Sequence, residues 1–445
     1  MVTPGTARGT LTAPPSKSYT HRALVVAALA EGPTRVIGGL RSEDTLASLR
    51  AVIRLGGQLR AAPPEAPPGG ESVLPPLALD PLPLGPSHGG VAEIDTAESG
   101  TTLRLFSAVA ALLPRTSRFS GSPSLARRPL GGLLQALACL GASFDGPPPG
   151  RSLPFSVRGP LHGGSVSVSG SESSQFTSAL LIALPCLAEG SELQVAGARV
   201  SLPYVEATLE VLRQQGVHIE SAPSNRYVIP GGQRYRGGHL TVTGDASSAA
   251  YFLALGAIQG GPITVKGVDL HVPQADLALL PVLERAGARV RRGERELTVE
   301  RRGGRLSPFE VDLTASPDLA PLLAVVAAFA QGRSKLLGAS HLEAKESDRR
   351  QGSLRLAQAL GASARATEEG IEVEGPVQVC SLDLRDLSDH RMFMSAAVAA
   401  AALKEPSTLE DPRVVRKSYP GFLEDLGSLG IQVEGARGGA PGRST

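Results

Sequence analysis

One short pattern returns six times along this chain: an amphipathic stretch, a glycine, then a strand-like run. The copies are residues 49–60, 133–144, 209–220, 280–290, 354–365 and 422–433, and their glycines are Gly56, Gly141, Gly216, Gly287, Gly361 and Gly430. They recur roughly every 70–85 residues, the period of one supersecondary unit used repeatedly. Each glycine falls where a helix ends and its C-cap needs positive φ. A second pattern interleaves with the first. It is a small-residue apolar helix, a turn and a short strand, at 22–38, 103–121, 180–197, 251–267, 320–338 and 393–411. These helices are apolar nearly all round, so they should be buried, with the amphipathic set flanking them. A chain of 445 residues is too long for one ordinary domain, so six copies divide naturally into three per domain.

The break between the third and fourth copies is placed in the Gly-rich segment Gly231–Gly238. The Pro-rich stretches 61–86 and 146–154 are read as surface loops, and 435–445 as a disordered tail. Net charge is only +2, which gives no polybasic surface for nucleic acid or membrane. The start, MVTPGTARGTL, lacks a charged-then-apolar signal pattern. The apolar runs Ala23–Ala30 and Leu319–Ala330 are too short to span a bilayer. Cys139, Cys186 and Cys380 show no CxxC spacing and read as buried thiols of a cytoplasmic protein. No His/Cys cluster has metal-ligand spacing, so no metal is expected. Asn225 is the only asparagine.

Function concentrates where the helices begin. Ahead of the buried helices stand Ser16-Lys17-Ser18, Ser99-Gly100-Thr101, Ser173-Ser174-Gln175, Asp245-Ala246-Ser247-Ser248, Ser316-Pro317-Asp318 and Asp389-His390-Arg391. Ahead of flanking helices stand Arg128-Pro129, Ser201-Leu202-Pro203, Glu346-Ser347-Asp348-Arg349 and Lys417-Ser418-Tyr419-Pro420. Pro at the first helical position supports three of those starts. Ser99, Asp245 and Ser316 read equally well as plain N-caps, each worth about 1 kcal/mol. Capping does not account for the cations. Lys17, Arg22, Arg128, Arg349, Arg391 and Lys417 lie at or near helix starts, where the dipole disfavours positive charge. An anion should offset that cost, since helix N-termini and Arg forks together suit phosphate and carboxylate.

The ordered set of segments Pro15-Ser16-Lys17-Ser18-x-x-x-Arg22, Ser99-Gly100-Thr101-Thr102-x-Arg104, Arg128-Pro129-Leu130-Gly131, Ser173-Ser174-Gln175-Phe176, Ser201-x-Pro203-Tyr204, Gly244-Asp245-Ala246-Ser247-Ser248-Ala249, Lys345-Glu346-Ser347-Asp348-Arg349, Asp389-His390-Arg391-Met392 and Lys417-Ser418-Tyr419-Pro420 resembles the EPSP synthase family along almost the whole chain. The resemblance implies an α/β fold of two similar domains. Each would hold three βαβαββ repeats with buried parallel helices and outer sheets, an inside-out α/β barrel arrangement. It also implies a chain that crosses between domains twice, giving 14–235 as one domain and 1–13 with 236–434 as the other. It implies two small-molecule substrates, phosphoenolpyruvate and shikimate 3-phosphate, with no cofactor, no metal and a monomeric protein. Shikimate 3-phosphate would contact Lys17, Ser18, Arg22, Ser173, Ser174, Gln175, Ser201, Asp318, His341 and Lys345. Phosphoenolpyruvate would contact Lys17, Gly100, Arg128, Gln175, Arg349, Arg391 and Lys417. Asp318 would act at the attacked hydroxyl and Glu346 at the methylene carbon, with Lys17 between the substrates. By the same analogy the small Gly100 leaves room for the herbicide glyphosate.

The chain departs from the family pattern in places. Ala97-Glu98 replaces a common Gly-Asn, and His341 and Ser388 stand where asparagine is common. All three fit a chain that avoids asparagine. Glu343 replaces a usual basic residue and Arg350 a usual apolar one; both are harmless if they face away from the anions. The sister enolpyruvyl transferase for a UDP-amino sugar usually carries a reactive Cys before its Arg-Pro. Here the loop Gly121–Arg127 has none. A non-catalytic phosphate-ligand binding protein on the same scaffold is the other alternative, and Lys17, Asp318 and Glu346 argue against it.

Overall fold

The chain is described from a computed structural model, which covers residues 1–60, 72–84, 90–146, 151–301, 303–338, 342 and 347–434. Its contacts divide it into two compact units. One comprises Pro15–Thr243 with His271–Ala275, and the other Met1–Pro14, Gly244–Leu270 and Asp276–Thr445. Below they are the first and second units.

Each unit is built on three helices with almost no exposed residue. In the first unit they are Lys17–Leu29, Gly100–Ala111 and Ser174–Ala183. In the second they are Ala246–Gln259, Ala320–Phe329 and His390–Ala402. Each unit has its own apolar cluster, dominated by Ala, Leu and Val from these helices. The amphipathic helices, such as Glu43–Arg54 and Leu202–Gln214, keep one polar face. All six repeat glycines have positive φ, from +77° at Gly361 to +104° at Gly141. A residue with a Cβ would be strained there.

Five four-stranded sheets repeat one plan: a parallel edge pair, then two antiparallel strands. In the third repeat, Ser165–Ser169 runs parallel to Ser191–Ala196, which pairs antiparallel with Arg226–Ile229 and that with Glu220–Ala222. The edge strands of two repeats arrive from elsewhere in the chain. Gly238–Thr241 lies parallel to Thr34–Ile37 in the first unit, and Gly9–Thr12 parallel to Ile263–Lys266 in the second. The strand in front of each unit's first helix therefore belongs to the other unit's sheet. The sixth repeat is assembled in the same spirit from two two-stranded sheets. Asp383–Leu384 pairs with Thr408–Leu409, Val2–Thr3 pairs with Gln432–Val433, and Val2 links the two by a bridge to Ser407 through reciprocal backbone bonds of 2.8 and 2.9 Å.

Several sequence expectations change. The break at 235/236 moves to Thr243/Gly244 because the ladder to Thr34–Ile37 carries 238–241 into the first unit. Part of the supposed loop 61–86 is the strand Leu77–Asp80, whose Leu77 and Leu79 are buried while Ala78 and Asp80 are only half-buried. Prolines on both sides hid that alternation. Residues 61–71, 85–86 and 147–150 of the expected loops, and the expected tail 435–445, lie outside the described residues. Cys139 and Cys380 are exposed, not buried, because each sits where its helix or loop meets solvent. Cys186 is half-buried, and burial pushes its thiol up to about 12.

Val2 is only 2 % exposed and pairs with Val433 on one side and Ser407 on the other. Val2→Asp would bury an unpaired carboxylate there, at a cost of roughly 2–4 kcal/mol. Urea unfolding of the variant should show a correspondingly lower midpoint at an unchanged slope.

Candidate functional site

In the first unit the polar residues converge at the starts of the buried helices. Ser16 caps Lys17–Leu29 by accepting from Tyr19 N. Lys17 Nζ meets Asp44 Oδ2 at 2.9 Å, with side chains 18 % and 6 % exposed. Asp44 stands in the first turn of Glu43–Arg54, where the dipole favours its charge. One turn on from Lys17, Arg22 is buried and fully engaged. It donates to Thr208 Oγ1 (2.9 Å), Ser18 O and Oγ (2.9 and 2.6 Å) and Tyr204 O (2.6 Å). Burial lowers its pKa to about 10, so it stays a cation at neutral pH. Its neighbour His21 is pushed down to about 3 by burial, against the pull of Asp44 and helped by Lys17 and Arg22. This neutral ring shares a 2.7 Å hydrogen bond with Ser48, which in turn meets Thr102 at 2.8 Å.

A second group surrounds Gly100. Ser99 caps its helix by accepting from Thr102 N. Arg104 was absent from the sequence-derived candidates, yet it ties this group together. It donates to Gly100 O (3.2 Å), Gln175 Oε1 (2.9 Å) and Pro129 O (2.8 Å), and stacks over the Phe176 ring at 5.7 Å. Gln175 completes the tie by donating to Thr101 Oγ1 at 3.0 Å. A Cβ on Gly100 would stand 2.5 Å from Arg104 Nη1 and 2.7 Å from Arg128 Nη1. Arg128 therefore approaches the bare helix start closely. Ser173 accepts from Gln175 N, and Ser174 opens the helix beside it. Ser201 is buried at φ +56° and caps nothing with its side chain. Such a left-handed, non-glycine residue costs about 1–3 kcal/mol and marks functional sites more often than scaffolds.

The second unit holds a chain of alternating charges. Asp318 Oδ1 accepts from Arg349 Nη1 at 2.7 Å, and its Oδ2 faces Arg391 Nη2 at 2.9 Å. Arg349 is 1 % exposed and also grips Asp389 through Nε at 2.8 Å. Asp389 additionally accepts from Ser347 Oγ and from Arg391 N, capping its own helix. Arg391 Nη1 lies 3.7 Å from Asp276 Oδ2. Lys417 ends the short helical turn Pro412–Lys417 and is half-buried.

Some expected positions shift. Lys417 closes a helical turn instead of opening a helix, because the next helix begins only at Phe422; Pro420 lies before its cap. Pro129 likewise precedes the cap Leu130, and only Pro203 sits inside its helix's first turn. Ser316 makes no cap bond, since a tight turn at Pro317–Leu319 intervenes before the helix. Arg350 donates to the carbonyls of Thr367 and Gly370 and so braces a hairpin. Glu98 is exposed. His341, Glu343, Lys345 and Glu346 lie outside the described residues. Among the described residues no cluster of three or more His, Cys, Asp or Glu is arranged to hold a metal ion.

With these arrangements in view, the comparisons with known proteins are decisive. The family model described as EPSP synthase (3-phosphoshikimate 1-carboxyvinyltransferase) matches residues 2–426. This chain belongs to the EPSP synthase family. A Thermococcus kodakarensis relative named 3-phosphoshikimate 1-carboxyvinyltransferase is 40 % identical over 427 residues, 95 % of this chain and 97 % of its own. One of the same name from Methanocorpusculum labreanum is 36 % identical over 425 residues, 96 % and 97 % of the two chains. Among solved structures, EPSP synthase from Acinetobacter baumannii superposes with TM-score 0.78 at 25 % identity, covering 97 % of this chain and 98 % of that one. The enolpyruvyl transferase NikO from Streptomyces tendae, at 20 % identity and TM-score 0.73 with 97 % of both chains covered, shares the fold.

Against the family's common Gly-Asn, Ala97 adopts φ +49°. It does so because Asp95 Oδ1 accepts from its N–H while its own carbonyl accepts from Ser122 N. A left-handed alanine costs about 1 kcal/mol or more relative to glycine. Ala97→Gly should therefore raise stability by roughly 1 kcal/mol, read as a higher urea midpoint.

Proposed function

We propose that this protein transfers the carboxyvinyl group of phosphoenolpyruvate to the 5-hydroxyl of shikimate 3-phosphate, releasing phosphate, in the shikimate route to aromatic amino acids. Family membership over nearly the whole chain is the observation that carries the reading. Asp318, held between two arginines, supplies its chemistry.

The reaction is an addition followed by an elimination. The hydroxyl oxygen forms a bond to C2 of phosphoenolpyruvate and gives up its proton to a base, while C3 takes a proton. In the tetrahedral intermediate C2 carries both the new ether oxygen and the phosphate ester oxygen. The C2–O bond to phosphate then breaks, phosphate leaves with the electron pair, and C3 loses a proton to restore the double bond. Asp318 is the base in this reading. Arg349 and Arg391 hold its two oxygens at 2.7 and 2.9 Å, and it must stand within direct hydrogen-bond reach of the hydroxyl. Glu346 is assigned the proton at C3 and Lys17 the oxygens of both substrates. Arg128, Arg349, Arg391 and Lys417 are assigned to phosphoenolpyruvate, with Gly100 and Gln175. Ser18, Arg22, Ser173, Ser174, Ser201, His341 and Lys345 are assigned to shikimate 3-phosphate. The close approach of Arg128 and Arg104 to Gly100 supports that grouping, because it sets two guanidiniums against the bare start of one helix. The UDP-amino-sugar reading finds no support in the cysteine-free loop Gly121–Arg127.

We read the protein as cytoplasmic and monomeric. Its three thiols are all free. The large exposed apolar side chains among the described residues, Met1, Ile53, Leu59 and Val91, are few, which does not suggest a large apolar interface. No helix among the described residues is long and apolar enough to cross a membrane.

A phosphate-release assay tests the function. Release should require both substrates together; release from phosphoenolpyruvate alone, or none with both, would sink the proposal. Asp318→Asn should lower kcat by about a hundredfold or more, with Glu346→Gln as a parallel control. Gly100→Ala should raise KM for phosphoenolpyruvate several-fold and weaken inhibition by glyphosate, because its Cβ displaces the guanidiniums of Arg104 and Arg128.

A further inference from the structure

A carboxylate outside the assigned machinery faces the same arginine as the base. Asp276 begins the second unit's long final segment, at the helical turn Ala275–Ala278. Its side chain has no exposure to solvent, and its Oδ2 lies 3.7 Å from Arg391 Nη1. The other end of that guanidinium, Nη2, is on Asp318 at 2.9 Å. Arg391 is thus stretched between two carboxylates, one of them the proposed base. We propose that Asp276 is a positioning residue for enolpyruvyl transfer: it steers the Arg391 fork and, by sharing that cation, keeps Asp318 basic enough to take the hydroxyl proton.

The argument is electrostatic and local. Arg349 and Arg391 both press on Asp318 and would together make it a feeble base. A second negative charge on the far side of Arg391 draws part of that cation away from Asp318. It also repels a lone pair left on Asp318, and in a buried setting such effects are weakly screened. The groups around Asp276 are Arg391 on the helix His390–Ala402, Asp318 on the turn Pro317–Leu319, and Asp245 and Ser247 at the start of the helix Ala246–Gln259. Tyr251, on that last helix, also interacts with Asp276, Arg349, Asp389 and Arg391. Burial raises Asp276 to about 6, with Asp318 and Asp245 adding to the rise and Arg391 and Ser247 opposing it. Asp276 is therefore mostly ionised at neutral pH, as the role requires.

The inference rests on the functional reading above, and its test separates the two. The full-length enzyme and Asp276→Asn, which keeps the side-chain shape, are compared in the phosphate-release assay from pH 5 to 9. Asn removes the charge behind Arg391. The limiting rate should fall severalfold, because a weaker base remains. The wild-type-to-variant ratio of kcat/KM should be largest above pH 7 and shrink as pH falls through about 6, where wild-type Asp276 itself takes up a proton and loses the charge the variant lacks. Combined with Arg391→Lys, the effects on kcat/KM should be clearly less than multiplicative, since both act through one guanidinium. A ratio that stays constant with pH in a folded variant, or effects that simply multiply, overturns the role. If Asp276→Asn does not fold, Asp276→Ser is substituted, with the same outcomes decisive. A wild type without turnover sinks the functional reading itself; a working wild type with a pH-independent ratio sinks only the role of Asp276.

Discussion

A cation beside a helix start must find acceptors inside its own fold, and much of this molecule follows from how that demand is met: Arg22 and Arg104 find neutral oxygens, while three others find carboxylates. Lys17 has Asp44, Arg349 has Asp318 and Asp389, and Arg391 has Asp318 and Asp276. An isolated buried charge would cost several kcal/mol, so these carboxylates are conditions for folding as well as for chemistry. A substrate anion arriving at such an arginine meets a group already engaged. Binding then becomes an exchange of partners, in which the fold's own carboxylate yields or shares. In the proposed reaction that arrangement would let one aspartate serve as counter-ion before the substrate arrives and as proton acceptor afterwards.

The repeat architecture explains why the cations gather. Each repeat places one buried helix in the core and presents its N-terminus; five of the six start behind a Ser or Asp, whose side chains cap a helix well, and the sixth, Ala320–Phe329, follows the tight turn Pro317–Leu319 instead. Ser16, Ser99, Ser173, Asp245 and Asp389 all accept from backbone N–H groups in the first turn. Three helices packed together in one unit bring three such starts onto the same core. The chemistry is thereby written at positions fixed by packing, while the sheets outside carry the connections.

Much of this was legible in the sequence. Gly56 through Gly430 announced the repeats because positive φ at a helix end leaves few alternatives to glycine, and the apolar-all-round helices announced their burial. The candidate cations were legible because a Lys or Arg at a helix start is costly enough to need a reason. What escaped was whatever depends on distant pairing. Gly238–Thr241 carries no local sign that it will lie against Thr34–Ile37. Arg104, mid-helix, reads as an ordinary polar position until Gln175 and Pro129 are seen around it. Asp276 sits in a stretch whose neighbours suggest only a turn. Leu77–Asp80 was hidden by the prolines around it, and Cys139 was misjudged because flanking apolar residues do not say which side of a helix a thiol occupies. The chain's only asparagine, Asn225, follows Ser224 in a hairpin where both residues have φ near +60°, a conformation for which asparagine is well suited.

The strand that closes the first sheet is made long after the strand it joins. Thr34–Ile37 leaves the ribosome about 200 residues ahead of Gly238–Thr241, an interval of roughly 10–40 seconds at bacterial-type synthesis rates of about 5–20 residues per second. Throughout that time one side of a nascent sheet has open hydrogen-bonding groups, an invitation to mispairing with any passing extended segment. Gly9–Thr12, emerging earlier still, waits longer for Ile263–Lys266. A polypeptide wired in this way cannot complete either half in order as it is translated, and its vulnerability to aggregation belongs to the minute of its birth, not to its finished state.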